Sequence, residues 1–318
     1  MIFRIAGLAL LLSLAAGPLS AQAPAASVVT ALTQPQDDYP DVSPDGRRIV
    51  FQSNRSGTWQ LWLMNADGTG LARLTTGGAN DRTPAWSPDG TKIVFSSDQA
   101  GGPARPPGSK LEPRNLFVLD MTAGATASPV RLLAHEGQDI HPKWADGGRS
   151  IVFNRVYPTG DGADIMTVDA AGANPRRVAL GRGWNTYASL TRDGARLIYR
   201  GTTLEPQGER TVENSDVFSV APDGSDLRRL TTEPAFDGWP AVSPDGATIA
   251  FASRRAGERF HIFLMPVAGG APRQVTTGEF NHTQPAWSPD GRRLAAYRWA
   301  QDRGGEIGHI VWIDLAPA

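Results

Sequence analysis

Six polar residues recur at one position of an internal repeat: Asp37, Asp81, Asp139, Asn185, Asp237 and His282. Each stands three residues before a proline or, once, an alanine. Four carboxylates brought around one axis would raise the local negative potential. They would favour a cation, a basic side chain or an ordered water cluster. On that reading Asp37, Asp81, Asp139 and Asp237 are candidate ligands for a divalent cation such as calcium. The competing reading is local, with each aspartate capping its own loop. Just before the same proline position stand Tyr39, Thr83, His141, Tyr187, Trp239 and Gln284. This mixed aromatic and polar set suits a ligand-binding surface, or packing within a channel.

Other chemistry finds no carrier. The absence of cysteine excludes disulfides, thiolate metal sites, a cysteine nucleophile and a lipoprotein anchor. There is no G-x-S-x-G elbow, no phosphate loop and no dinucleotide fingerprint. His135-Glu136 lacks a second histidine four residues on, so the zinc-protease pattern is missing. A formal net charge of −1 argues against nucleic-acid binding. No catalytic residue is assigned.

The positions above are set by a repeat that occupies most of the chain. Pro40-Asp41-Val42-Ser43-Pro44-Asp45-Gly46 precedes Ile49-Val50-Phe51, and Pro84-Ala85-Trp86-Ser87-Pro88-Asp89-Gly90 precedes Ile93-Val94-Phe95. Related copies end in Gly148, Gly194, Gly246 and Gly291, so the closing glycines lie 44, 58, 46, 52 and 45 residues apart. The third and fourth copies are degenerate, and the sixth has Leu294-Ala295-Ala296 without the aromatic. In Ser-Pro-Asp-Gly, proline presets the turn, aspartate bonds its own backbone and glycine takes positive φ. The turn joins two strands. A third strand follows, as in Gln60 to Met64 or His261 to Met265, and a fourth ends in Leu74-Thr75, Leu132-Leu133, Leu230-Thr231 or Val275-Thr276. Four strands per copy make a propeller blade. Trp86, Trp144 and Trp287 share their position with Val42, Leu190 and Val242, which assigns them to the core between blades.

The expected fold is all-β: a six-bladed propeller of four-stranded blades spanning 28–318. The last copy lacks a fourth strand after Leu315. Val28 to Thr33 has the fourth-strand pattern and is expected to close that blade, removing an open edge. Met1 to Ala21 reads as a secretory signal, with Arg4, an apolar run from Ile5 to Ala16, and cleavage before Gln22. Residues 22–27 read as a disordered lead. Insertions are expected from Asp98 to Arg114 and from Gly201 to Asn214.

Ser-Pro-Asp-Gly-x-x-Ile-x-Phe with a Leu-Thr ending resembles the TolB-type, WD40-like propeller repeat, over residues 28–315. TolB also carries an N-terminal α/β domain, for which the sequence before the first blade shows no counterpart. Similar repeats occur in propellers of prolyl-oligopeptidase-type hydrolases and in oligogalacturonate lyases. The leading reading is a non-enzymatic, periplasmic or secreted monomer, exported by its signal and not inserted in the membrane after signal cleavage. It would bind a protein or peptide of the cell envelope through its channel-mouth face, using the ring positions above other than Thr83. The alternative is a channel-sited, metal-assisted carbohydrate-active enzyme, like an oligogalacturonate lyase, with His141 or His282 assisting.

Overall fold

The computed structural model describes residues 29–315, apart from 33–35, 101, 124–127, 179, 181–182, 203–213 and 303–304. The signal, the lead and most of the insertion after Gly201 lie outside the described residues. Six four-stranded antiparallel sheets form a ring. Blade one comprises Asp37–Val42, Arg48–Ser53, Gln60–Asn65 and Ala72–Arg73, from the inside outward. The inner strands of the next five blades are Asp81–Trp86, Gln138–Ala145, Asn185–Leu190, Asp237–Val242 and Asn281–Trp287.

The Ile-Val-Phe run is buried on both faces, so it shows continuous apolarity instead of alternation. Its two faces serve two different neighbours. Ile93 and Phe95 pack with Val50 and Leu61 of blade one, while Val94 packs with Ile151 and Phe153 of blade three. The same rule runs round the ring to Ala295, which joins Ile49 and Phe51 in closing blade six on blade one. In the sixth copy Ala296 stands where the others have an aromatic. Phe260 shares its cluster, and Trp239 and Trp299 pack against that cluster. The repeat tryptophans sit between blades as expected. Trp144 Nε1 donates to Ala85 O at 3.2 Å and Trp287 Nε1 to Ala241 O at 3.0 Å.

The hairpin aspartates are consumed locally. Ser43 Oγ donates to Asp45 Oδ1 at 2.6 Å, and the Arg47 amide donates to the same oxygen at 3.1 Å. Gly46 takes φ 71°. The same bonds recur at Asp89, Asp245 and Asp290, and at Asp193 with threonine in place of serine. These bonds hold the Asp89 carboxyl down at about 2. In blade three Asp146 instead pairs with Arg149.

The outer strands are shorter than expected, with Ala72–Arg73 and Arg228–Arg229 ending before the Leu-Thr pairs. The threonine hydroxyl takes over from the ladder: Thr75 Oγ1 accepts the Leu61 amide at 3.0 Å, and Thr231 and Thr276 accept those of Val217 and Ile262.

Closure joins the two ends of the described chain. Val29–Ala31 pairs antiparallel with Gly305–Asp314, setting Val29 opposite Ile313 and Ala31 opposite Val311. Deleting residues 29–32 strips this strand and bares a sheet edge with Ile313 beneath it. The expected result is aggregation, or a fall in melting temperature of roughly 5–10 °C. Thermal melting with light scattering checks it, and a variant as stable as the parent would refute the closure.

Candidate functional site

Every inner strand breaks its register at one place, between Asp38 and Asp41 in blade one and at the equivalent step in the other five. The residue expelled from the ladder is Tyr39, Thr83, His141, Tyr187, Trp239 or Gln284, each with φ between 50° and 57°. Left-handed backbone is costly for side chains of this size, so the surroundings must hold it. A β-bulge supplies the extra residue, and in five blades the proline that follows has no amide to leave unpaired. Neighbouring blades capture the freed amides. Thr83 N donates to Gln52 Oε1 at 2.7 Å, Tyr187 N to Asn154 Oδ1 at 2.9 Å and Tyr39 N to Gln284 Oε1 at 2.8 Å.

The bulged side chains plug the channel. The Tyr39 hydroxyl lies 3.3 Å from the Tyr187 hydroxyl and 3.3 Å from His141 Nε2, so blades one, three and four meet at the axis. Tyr39, His141, Tyr187 and Trp239 form a chain of ring contacts at 5.5, 4.2 and 5.6 Å. On the hairpin side of this plug lies a cavity of about 430 Å³. Its wall is mainly apolar: five prolines from the inner strands, with Trp86, Trp287 and Val242. One ion pair crosses it, from Lys143 to Asp41, and Asp41 Oδ2 also accepts the Trp86 amide at 2.8 Å. This is a blind cup opening on the turn face of the ring.

The plug is electrically neutral. Burial lowers His141 to about 3, outweighing its bond to Asn154, and Arg114, Arg200 and Lys143 push the same way. Burial, and then Tyr187, raises the Tyr39 phenol well above its ordinary range. His141 bonds to Tyr39 and Asn154, neither of which is a carboxylate. His282 lies apart from it, beside His261 at 6.3 Å, and burial lowers it too to about 3.

The carboxylates expected around the channel mouth each have partners within the fold. Asp37, Asp139 and Asp237 are buried, each against an arginine of its own blade: Arg55, Arg155 and Arg255. The Asp139 pair is bidentate, at 2.7 and 2.8 Å. Asp81 is buried against the hydroxyls of Ser97 and Thr75, and Asn185 is buried as well. Among the described residues, no group of three or more His, Cys, Asp or Glu could hold a metal ion. The loop-capping alternative is nearer, but the partners are side chains of the adjacent strand as well as local groups. Burial raises Asp81, Asp139 and Asp237, against the pull of their hydrogen bonds and arginines.

Sequence comparison missed Asp41 and Lys143, which extend the repeat register one residue past the proline position. It also missed Gln52 and Asn154, which follow Ile-Val-Phe by one residue. Aligning those two columns would have revealed both sets.

Two outcomes follow. Asp139→Asn leaves the Arg155 guanidinium buried without its counter-ion and should cost about 3 kcal/mol, whereas Asp81→Asn, which breaks no direct ion pair, should cost under about 1 kcal/mol. Urea unfolding at pH 7 compares them, and equal costs would contradict the distinction. The second outcome concerns pH. Below about 6.5 the unfolded chain protonates His141 and His282, while the native fold keeps them neutral down to about 3. Stability must therefore fall as pH drops through that window. Between pH 7 and 5 the loss should be about 2 kcal/mol from His282, and less from His141, whose ring borders the cup. Unfolding of the parent and of His282→Gln at both pH values checks it: the variant should be the less pH-sensitive.

The TolB beta propeller domain family model matches residues 25–104 and 202–315. A TolB homologue of Chlorobium luteolum is 30% identical over 228 residues, which is 72% of this chain and 36% of that protein. The chain spans less than half the length of the curated relatives it matches. A TolB candidate structure from Agrobacterium tumefaciens superposes with a TM-score of 0.64 at 19% identity, covering 90% of this chain and 97% of that one. An oligogalacturonate lyase from Vibrio parahaemolyticus does so with a TM-score of 0.56 at 14% identity, covering 91% and 93%. At these identities the two structures share the fold and carry over no activity. The repeat, the closed ring of six blades and the family match together make this chain a member of the TolB β-propeller domain family.

Proposed function

We propose that this protein is an exported, non-enzymatic component of the cell envelope. In this reading it binds a protein partner whose apolar segment enters the cup on the turn face. The observation that carries the reading is the cup itself. It is a blind cavity of about 430 Å³ with a proline and tryptophan wall, over a plug of uncharged rings. Proline and tryptophan present rigid apolar surface that loses little conformational entropy on binding. The Asp41–Lys143 pair offers one fixed polar point by which a bound chain could be oriented. Pockets with this balance of apolar wall and few polar groups are ordinary ligand sites. The TolB relatives add an envelope setting. Among the described residues, no helix is long and apolar enough to cross a membrane.

Ser189 and Ala241 line the cup from adjacent blades. The parent, Ser189→Trp and Ala241→Trp serve as baits in crosslinking to a periplasmic extract of the native host, with mass spectrometry of the captured proteins and of the bait's own N-terminus. The parent, processed to begin at Gln22, should recover a defined envelope protein. Both variants, melting like the parent, should lose at least nine-tenths of it. Equal capture by all three would overturn the cup as the docking site. A bait found only in the cytoplasm would overturn export.

A further inference from the structure

The channel has a second side. On the connection face, where consecutive blades are joined, the rim is rich in arginine. Three of those arginines neutralise Asp37, Asp139 and Asp237. Arg200 does not. It is only 8% exposed, yet its Nε and Nη2 atoms have no hydrogen-bond partner, and it makes no ion pair among the described residues. A buried guanidinium is normally matched by a carboxylate, because its desolvation is costly.

Its position is held from two sides. The guanidinium lies 4.6 Å above the ring of Phe236. Its stem passes Gly238, where a Cβ would come within 3.3 Å of Arg200 Cδ and 2.5 Å of the Phe236 ring, so only glycine leaves the path open. Thr186, its partner across the strands, is also buried with an unpartnered hydroxyl. The titratable neighbours of Arg200 are the uncharged phenols of Tyr39 and Tyr187, which meet on the channel axis, so the guanidinium stands on the channel side of its blade. The carboxylates Asp38 and Asp98 act on Arg82, and Asp98 and Asp81 act on Arg114, but none of them acts on Arg200.

We propose that Arg200, with Thr186 beside it, forms a carboxylate-binding site on the connection face that takes an acidic side chain of a peptide. With Nε and Nη2 unpartnered, the guanidinium keeps an N–H edge that matches the two oxygens of a carboxylate. Naming a peptide as the ligand rests on the protein-partner reading; the site itself is on the opposite side of the plug from the cup.

The test is titration calorimetry of the full chain at low salt with hexaglutamate, hexaglutamine and inorganic phosphate. Variants are Arg200→Met, which keeps the packing on Phe236, Arg200→Lys, which keeps the charge without the fork, and Ala241→Trp, which fills the cup. Hexaglutamate should bind the parent and weaken as salt rises, and hexaglutamine should not bind. Arg200→Met should lose at least tenfold in affinity and Arg200→Lys an intermediate amount, while Ala241→Trp should bind like the parent. Equal binding by the parent and Arg200→Met would overturn the site; should the Met variant fail to fold, equal binding by Arg200→Lys would do so. Phosphate binding that depends on Arg200, without hexaglutamate binding, would assign the site to a free anion and overturn the peptide. Loss of hexaglutamate binding in Ala241→Trp would move the ligand to the cup. It would leave the protein-partner reading standing while this site fell.

Discussion

Each inner strand has to release one residue from its hydrogen-bond ladder, and the rest of the channel depends on how that release is stabilised. A bulge in left-handed backbone frees an amide next to the axis, where an unpaired donor would be costly. Gln52, Asn154 and Gln284 reach from one blade to the next to accept three of those amides. The same bonds therefore pin adjacent blades together and aim the bulged side chains inward. Six such positions at one level close the channel, with Tyr39 and Tyr187 meeting from opposite blades. A plug at mid-height makes two chemically distinct sites out of one tunnel.

The two sides then diverge because different strand positions face them. Toward the hairpins, prolines and tryptophans leave an apolar cup crossed by a single ion pair. Toward the blade connections, aspartates and arginines are packed at the edge of the core, and electrostatics decides their state. Three aspartates are buried with arginines and serve the fold. A buried ion pair contributes little net stability, but removing one partner is expensive, which favours retaining both. Arg200 is the exception that gives this side a binding character, because its charge is desolvated without an opposing carboxylate among the described residues.

Regularity and variation are divided between layers of each blade. The Ile-Val-Phe strand and the Ser-Pro-Asp-Gly turn repeat with limited change, because each blade packs between two neighbours in the same way and the hairpins of five blades share one hydroxyl-to-aspartate bond. At the bulge the side chains run from threonine to tryptophan while the backbone keeps the same left-handed conformation. A repeat fold can thus carry an asymmetric site on a symmetric frame.

The blade count, the turn chemistry, the inter-blade role of Trp144 and Trp287, and the closing role of the N-terminal strand were all legible in the sequence. They rest on local periodicity and on residues such as the Asp45 and Gly46 of a tight turn, whose partners lie within a few positions. The two rings of channel residues were legible as columns of the repeat, but their roles were not. Nothing local shows that Asp139 faces Arg155 across a strand pair, or that Tyr39 meets Tyr187 across the axis, 148 residues away. Whether four aspartates attract a cation or are taken up by arginines and hydroxyls depends on which side chains the fold turns toward them. A column of like residues records only that each blade treats the position alike. The distance between those residues, and so their chemistry, is set when the ring closes.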